Sequence, residues 1–183
     1  MATNQTRKPR VVALGDPRFI GHDYLESFKR EFDFQILDAT NRVETQERLP
    51  KLIAQYGQVD AFIVRMGTPA YEPFDEELLG ALVPHCKIIT SASAGYNEFD
   101  IDWMTENKIW FCNTIDAVAE ATADMAVFLI LAVLRNTTVA ERQARDGTWK
   151  QSIVPSKDPA GLTLGIVGLG SIGKASHIPS RGN

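Results

Sequence analysis

Between residues 10 and 113 the sequence alternates short apolar runs with stretches whose apolar residues recur at helical spacing. The five apolar runs occupy residues 10–16, 34–39, 61–65, 87–93 and 109–113. Strands that are apolar along both faces need helices packed on both sides of a parallel sheet. The pattern therefore predicts an α/β domain built on a flavodoxin-like, doubly wound parallel sheet.

Four connections between these runs have the spacing of helices, and they cover residues 24–32, 45–56, 76–82 and 100–107. Asp75 is expected to cap the third helix, and Asp100 and Asp102 are expected to be capping carboxylates of the fourth. Pro50 should lie in the first turns of the second helix, where proline is tolerated. Ligands of such sheets bind beyond the carboxyl ends of the strands, so the loops there are the candidate sites.

After residue 113 the pattern changes to long helices. Asp116 is expected to cap a helix that runs to about Leu134, and a second helix over residues 137–145 should end at Asp146 and Gly147. The ten consecutive apolar residues near the end of the first helix are too few to cross a bilayer, which takes about 20. They predict a helix that is buried between other elements.

The last part of the sequence predicts a linker followed by a new domain. Residues 151–161 indicate a loop, and residues 162–170 predict a sixth strand that lies outside the first sheet. The expected organisation is therefore a sheet domain over residues 1–113, helices over residues 114–150, and a linker with the start of a second domain over residues 151–183.

Composition and charge argue against several classes of function. The net charge of −4 is spread along the chain, which gives no reason to expect nucleic acid or an anionic membrane as a partner. The two cysteines and three histidines are scattered without metal-ligand spacing, so we expect neither a disulfide nor a metal site. The polar residues 1–10 lack the apolar segment of a signal peptide. These features predict a cytoplasmic protein.

Residues 168–173 read Gly-Leu-Gly-Ser-Ile-Gly and match the G-x-G-x-x-G motif of dinucleotide-binding turns. In this motif the first glycine permits a tight turn, the second lets the backbone approach a pyrophosphate, and the third allows close helix packing. Pro179 bars a long helix after the motif, and a helix of one or two turns is unstable in water. The acidic residue that would hold the ribose, about 20 positions further on, has no counterpart in the sequence.

Two loops at the carboxyl ends of the predicted strands are candidate anion sites. In the loop after the fourth strand, Gly95 and its polar neighbours offer backbone amides to a carboxylate; alternatively, the loop is a plain turn that requires a positive φ at Gly95. Arg65 ends the third strand next to Gly67 and favours an anionic ligand in the same cleft; alternatively, it is a solvated surface arginine. His177 and Arg181 are interpreted as part of a disordered terminus.

Four stretches occur in a specific order and spacing: SASAGYNEFDID (91–102), FCNTIDAVAEATADMAVFLILAVLRN (111–136), GTWK (147–150) and GLTLGIVGLGSIGK (161–174). Together they resemble the D-isomer-specific 2-hydroxyacid dehydrogenase family. The resemblance covers nearly all of the sequence up to Lys174, and the N-terminal half is similar to the glycerate and formate dehydrogenase-like branch. It implies that residues 1–113 form the substrate (catalytic) domain. The helices that follow would be interdomain and dimerisation helices, and the last 33 residues would be a linker and the truncated start of a Rossmann domain.

The resemblance also implies roles for individual residues. The backbone amides of Ala94 and Gly95 would bind the substrate carboxylate, and the loop from Arg65 to Gly67 would line the same cleft. Thr122 would lie near the nicotinamide of NAD or NADP. The residues that would meet the cofactor pyrophosphate are Gly168, Gly170, Ser171, Ile172 and Gly173.

The family places its catalytic residues after the glycine motif: an arginine that clamps the substrate, and a histidine acid/base paired with a carboxylate. The sequence holds no match to them, and after Lys174 it departs from the family pattern. The expected function is NAD(P)-dependent hydride transfer between a nicotinamide and a small 2-hydroxy or 2-oxo acid. The sequence is expected to be truncated just after the motif, to be inactive by itself and to bind the cofactor poorly.

Two other functions are compatible with parts of the sequence. The apolar helices between residues 117 and 145 would allow the chain to act as a dimerisation module that pairs with a second copy or with a full-length paralogue. A phosphate-accepting signalling receiver would need an aspartate at the end of the third strand, where this sequence has Arg65. The dehydrogenase interpretation is therefore preferred.

Overall fold

The computed structural model describes residues 7–16, 20–65, 67–148 and 155–176. The chain divides into two compact units, Met1–Thr114 and Ile115–Asn183. The sequence predicts domain boundaries after residues 113 and 150. These two domain boundaries stay predictions.

The first unit is built on a parallel sheet. Its strands are β1 (Arg10–Leu14), β2 (Asp33–Leu37), β3 (Ala61–Val64), β4 (Ile88–Ser91) and β5 (Trp110–Cys112). They lie side by side in the order β2-β1-β3-β4-β5, and every neighbouring pair is parallel. This is the strand order of flavodoxin-like sheets, so the predicted α/β fold with a five-stranded parallel sheet is confirmed.

Helices connect the strands as expected, with small differences at their ends. They are α1 (His22–Glu31), α2 (Arg42–Tyr56), α3 (Glu76–Leu79), which continues as a 3₁₀ turn (Gly80–Leu82), and α4 (Ile101–Glu106). Asp75 accepts a hydrogen bond from the amide of Leu78, and Asp100 accepts one from the amide of Trp103, so both predicted caps are confirmed. Asp102 lies in the first turn of α4 and is not its cap residue.

The start of α2 was predicted wrongly. The helix begins three residues earlier than expected because the side chain of Asn41 accepts a hydrogen bond from the amide of Glu44, at 3.0 Å, and caps it. Pro50 therefore lies inside the helix and not in its first turns. Proline has no N–H, so the carbonyl of Gln46 lacks its usual donor there.

The core of the first unit joins the sheet to the helices on its faces. The side chains of Val12, Phe62 and Ile89, from the three central strands, are completely buried. Leu49 of α2 and Met104 of α4 are equally buried within the same cluster. Burial of this kind favours folding by about 1.5–3 kcal/mol for each large apolar side chain. The core thereby fixes the strand ends from which the candidate loops emerge.

The second unit contains α5 (Ala119–Leu134), α6 (Thr137–Arg145) and α7 (Ser171–Ala175). Asp116 does not cap α5 with its side chain as predicted, because Val118 occupies the cap position and the Asp116 carboxylate is bound elsewhere. α6 ends as expected, since Gly147 adopts a φ of +67° just after it.

The apolar run of α5 was also predicted wrongly. Met125, Phe128, Leu129 and Val133 are all more than half exposed, and the buried residues of the helix are Ala119 and Ala123. The apolar composition of a helix indicates that its burial would be favourable, but it does not identify the element that would cover the helix. These four side chains recur at positions i, i+3, i+4 and i+8, so they share one face of the helix, and Ile130 and Leu131 are exposed beside them.

The predicted sixth strand is not formed. Residues 162–170 are described, and they enter no ladder with any other described residue. A strand is stabilised by hydrogen bonds to a neighbouring strand, and the described part of the second unit contains none.

None of the described helices is by itself both long and apolar enough to cross a membrane. Taken together, α5 and α6 have the length and the apolar composition of a membrane-crossing segment, but the two helices are bent by 68° relative to each other.

Candidate functional site

Three loops of the first unit begin next to one another at the carboxyl edge of the sheet. β1 and β3 are in register at Leu14 and Val64, and β3 and β4 are in register at Val64 and Ser91. The amide of Ala92 donates to the carbonyl oxygen of Val64 at 3.0 Å, which continues the pairing one residue beyond β4. The residues that follow these strands therefore form one surface, where ligands of such sheets bind.

Arg65 leaves β3 and lies over the loop that follows β1. Gly15 in that loop has a φ of +76°, and a Cβ atom there would come within 2.5 Å of the Nε atom of Arg65, so a larger residue would strain the backbone and displace the guanidinium. Nη2 of Arg65 donates to the hydroxyl of Tyr71 at 3.4 Å, and this hydroxyl donates to the carbonyl oxygen of Ala39 at 2.9 Å. Tyr71 is only 2% exposed, so it is a rigid support for the guanidinium.

The guanidinium of Arg65 has little to balance its charge. Its Nε atom is buried and has no hydrogen-bond partner among the described residues. No carboxylate in the described part of the chain forms an ion pair with it, whereas Arg10 and Arg42 are paired with Asp33 and Asp75 at 2.7 Å. A half-buried cation without a counter-ion is costly, and an anionic ligand would reduce that cost.

Gly67 and Gly95 shape the two candidate loops differently. Gly67 has a φ of +89°, which makes it the turn residue after β3. Gly95 is exposed, has no positive φ, and has open space where a Cβ atom would stand. The alternative that Gly95 is required by a positive φ is therefore wrong.

Residues that follow β5 form hydrogen bonds to the loop after β4. The side-chain amide of Asn113 donates to the carbonyl oxygen of Ala94 at 2.8 Å. Thr114 donates its hydroxyl to the carbonyl oxygen of Ser91 and its amide to that of Ser93, at 3.1 and 3.0 Å. These bonds fix the loop through its carbonyl groups.

The amides of this loop remain available as donors. Neither the amide of Ala94 nor that of Gly95 donates a hydrogen bond to another described residue. Two neighbouring N–H groups on a fixed, exposed loop can bind the two oxygens of a carboxylate. Arg65, Gly67, Ala94 and Gly95 thus lie at one edge of the sheet, with Arg65 turned towards β1.

The other six predicted site residues lie in the second unit. Thr122 is exposed on α5, and its hydroxyl donates to the carbonyl oxygen of Val118 at 2.7 Å. The remaining five form the turn into α7, and they are Gly168, Gly170, Ser171, Ile172 and Gly173.

The glycine turn has the close packing that the motif requires. Gly168 adopts a φ of +93°, and Gly170 stands just before α7 with open space around its Cα atom. A Cβ atom on Gly173 would collide with the carbonyl oxygen of Gly168, so the third glycine lets the helix pack against the turn. The turn fits a phosphate group in these respects. The hydroxyl of Ser171, however, donates to the carboxylate of Asp116 at 2.8 Å.

Both cysteines of the sequence lie in the described part of the chain and are free. Burial raises the pKa of the Cys86 thiol to about 11, so it is neutral at pH 7. Cys112 is a free and exposed cysteine. No group of three or more His, Cys, Asp or Glu side chains in the described ranges could hold a metal ion.

Sequence reasoning missed the residues that support the site. Gly15, Tyr71, Asn113 and Thr114 position the candidate loops, but none was singled out from the sequence. Gly15 and Asn113 each lie near the carboxyl end of an apolar run, which was a usable signal, whereas the role of Tyr71 depends on how its loop folds. His177 and Arg181 lie outside the described residues.

Comparison with known proteins identifies similar molecules. Residues 18–169 match the family model described as D-isomer specific 2-hydroxyacid dehydrogenase, catalytic domain. The chain is 56% identical over 174 residues to dehydrogenase efuE of Hormonema carpetanum, which covers 95% of this chain and 43% of the relative. It is 31% identical to the crystal structure of a glyoxylate reductase from Paecilomyes thermophila, with a TM-score of 0.81, covering 93% of this chain and 52% of that one.

A third protein was solved with ligands. It is the NADPH-dependent glyoxylate/hydroxypyruvate reductase SmGhrB from Sinorhizobium meliloti in complex with NADP and malonate. It is 26% identical to this chain with a TM-score of 0.67, and the match covers 92% of this chain and 49% of that one. The chain therefore spans about half the length of the relatives it matches.

Proposed function

The chain belongs to the D-isomer specific 2-hydroxyacid dehydrogenase family, and from this membership we propose that its first unit binds the carboxylate of a small 2-hydroxy or 2-oxo acid. The binding groups are the amides of Ala94 and Gly95, with the loop from Arg65 to Gly67 at the border of the site. The observation that carries the proposal is that both amides lack an acceptor among the residues that the structure describes, while the carbonyl groups of their loop are fixed. The bound acid takes part in NAD(P)-dependent hydride transfer.

Carboxylate binding by this loop would orient the reacting carbon. Two N–H groups on a braced loop hold both carboxylate oxygens, so the adjacent carbonyl or hydroxyl carbon is fixed in direction. Little reorganisation is needed when the ligand binds, because Asn113 and Thr114 already hold the loop. Two of the similar proteins are named as reductases of glyoxylate, which is a small 2-oxo acid.

The glycine turn is the proposed site of the cofactor pyrophosphate, through Gly168, Gly170, Ser171, Ile172 and Gly173. Thr122 is proposed to lie near the nicotinamide. When bound, the cofactor supplies or accepts the hydride. Ser171 has to give up its bond to the Asp116 carboxylate if its hydroxyl is to face a phosphate. We further propose that the 183 residues by themselves do not complete the reaction.

Asn113→Ala is expected to weaken the binding of glyoxylate about fivefold. The substitution removes the donor that fixes the carbonyl oxygen of Ala94, and a lost hydrogen bond of this kind costs about 1 kcal/mol. The dissociation constant is measured by calorimetric titration of the purified chain.

Asn107→Ala is the matched control for this variant. Asn107 donates its side-chain amide to the carbonyl oxygen of Trp103 at the end of α4, so the same group is lost away from the loop. Its affinity for glyoxylate should equal that of the parent chain. Equal weakening by both substitutions would show that Asn113 has no special effect on the site.

A second candidate function is that of a dimerisation module, and the exposed face of α5 favours it. Phe128 and Val133, 57% and 75% exposed, lie on that face together with Met125 and Leu129. Exposed apolar surface of this kind is typical of sites that bind another protein. The partner would be a second copy of the chain or a full-length paralogue.

Phe128→Gln is expected to shift the chain from dimer to monomer. The substitution places a polar amide in the centre of the apolar face, where it would lose its water without gaining a partner. The molar mass is measured by light scattering over a range of concentrations. Tyr24→Gln, which changes an exposed aromatic residue on α1, is the control and should leave the mass unchanged. A parent chain that is monomeric throughout would remove this candidate.

A further inference from the structure

A pocket of about 490 Å³ opens between α4 and the edge strand β5 of the first unit. It is lined by the aromatic side chains of Tyr96, Trp110 and Phe111, and by the buried side chains of Met104 and Ile109. The residues proposed to bind the carboxylate do not line it. A mostly apolar concavity of this size is typical of sites that bind small molecules.

The aromatic walls of the pocket favour a ligand that contains a ring. The side chain of Trp110 is 77% exposed, although its backbone amide is fixed by a hydrogen bond to the carbonyl oxygen of Lys87 at 2.9 Å. The rings of Tyr96 and Phe111 lie near each other, with centroids 6.1 Å apart. An indole that is held on a strand and open to water offers a flat surface on which a second ring can stack.

Lys108 gives the pocket a positive charge. It is the one charged side chain among the described residues that line the pocket, and it is exposed. No carboxylate in the described part of the chain forms an ion pair with it. An ammonium group beside an apolar pocket favours a ligand with an apolar body and one anionic end.

The backbone of Lys108 also sets this residue apart. It has a φ of +59°, in the left-handed region where glycine is favoured. The residue ends α4 in a Schellman motif, because the amide of Ile109 donates to the carbonyl oxygen of Met104 at 2.8 Å. The amide of Lys108 itself donates to the carbonyl oxygen of Thr105 at 3.0 Å. A side chain at this position costs free energy of folding that glycine would avoid, and such a cost beside a pocket indicates a function there.

We propose that this pocket is a second ligand site, which binds small aromatic monocarboxylic acids. The ring of the acid stacks on the indole of Trp110, and its carboxylate binds the ammonium of Lys108. Both residues line the same pocket, so a single small molecule contacts them together. The inference goes beyond the proposed function and does not depend on it, because the pocket shares no residue with the carboxylate site.

The test compares 4-phenylbutanoate with 4-phenylbutanamide, which has nearly the same shape but no charge, by calorimetric titration of the full chain at low ionic strength. We expect the acid to bind about fivefold more tightly, since the carboxylate adds one charge-assisted contact. The preference should shrink as salt is added, because salt screens the attraction between exposed charges. Glyoxylate should not displace the acid, although Tyr96 directly follows Gly95 in the chain.

Substitutions separate the two contacts. Lys108→Gln should abolish the preference for the acid and leave the affinity for the amide within about twofold, since only the charged contact is lost. Trp110→Leu should weaken the binding of both compounds about fivefold, because the stacking surface is lost. The control is Lys51→Gln, which removes an exposed lysine of α2 and should change neither affinity. Circular dichroism verifies the fold of each variant.

Lys108→Gly tests the reason for the strained backbone. We expect it to raise the urea concentration at half-unfolding by roughly 0.3 M, because glycine adopts a positive φ without strain. The same variant should bind the acid no more tightly than the amide. A lower urea midpoint would show that lysine stabilises the end of α4, and it would contradict the inference that Lys108 is kept there for a ligand.

The remaining outcomes are equally decisive. Binding of neither compound, equal affinity of the parent chain for both, or a preference that persists in Lys108→Gln overturns the inference. Displacement of the acid by glyoxylate would show that the pocket is not a separate site. A parent dimer that dissociates in Trp110→Leu would assign the pocket to a second copy of the chain. A preference for the acid that depends on Lys108 and on ionic strength supports the second ligand site.

Discussion

The 183 residues, purified alone, should reduce glyoxylate with NADH at least about 10³-fold more slowly than the glyoxylate reductase of Paecilomyes thermophila, since acid–base catalysis by itself supplies about 10²–10⁴-fold. The developing alkoxide needs a proton from a positioned group, and the substrate carbonyl needs a clamp against the nicotinamide. The family resemblance implies that both groups follow the glycine motif by most of a domain. The 183 residues hold no match to either group.

The rate is followed as the loss of NADH absorbance, with the intact mass of the chain verified before each assay. The Paecilomyes thermophila enzyme at matched concentration is the positive control, and its addition to the chain sample shows that no inhibitor is present. A rate within tenfold of that control would contradict the proposal that these residues do not complete the reaction, and it would require an acid and a clamp among the residues present.

Phe74→Ala should lower the free energy of unfolding of the first unit by about 3–5 kcal/mol. Phe74 is fully buried and stacks on Phe99, with ring centroids 4.5 Å apart and an interplanar angle of 13°. Its amide donates to the carbonyl oxygen of Glu98 at 2.8 Å, and its own carbonyl accepts from the amide of Asp100 at 3.1 Å. The substitution leaves a cavity between the start of α3 and the loop that leads into α4.

The stability is measured by urea denaturation followed by circular dichroism, with the slope of the transition compared between variants. Tyr24→Ala is the control, because this aromatic residue is 67% exposed on α1 and its loss should cost less than about 1 kcal/mol. If Phe74→Ala and Tyr24→Ala cost the same, the ring of Phe74 is not the buried anchor that the structure indicates.

Periodicity in the sequence was enough to predict the sheet and its helices, because each strand of the first unit has neighbours that pair with it. The same reasoning failed for residues 162–170, where the apolar pattern of a strand is present but the described residues contain no partner strand. It failed again for α5, because apolar composition says that a helix favours burial but not what covers it. Both errors arise where a pattern needs a neighbour that the described second unit does not contain.

The candidate site shows the same limit at the level of side chains. The positions of Arg65 and Gly95 after their strands follow from topology, and the sequence predicted that both loops lie at one edge. The sequence does not predict that the side chain of Arg65 extends towards β1, because this orientation depends on the space next to Gly15 and on the hydroxyl of Tyr71. The support that Asn113 gives to Ala94 likewise depends on β5 lying next to β4. Local pattern locates the loops, while tertiary contacts decide which donors remain free.

The most direct test of the carboxylate site is a nuclear magnetic resonance titration of isotope-labelled chain with glyoxylate, in which every backbone amide is observed separately. We expect saturable shifts that are largest at the amides of Ala94 and Gly95, because these two N–H groups gain an acceptor. Saturable binding that leaves both amides unchanged and shifts others would contradict the site proposed at the carboxyl edge of the sheet.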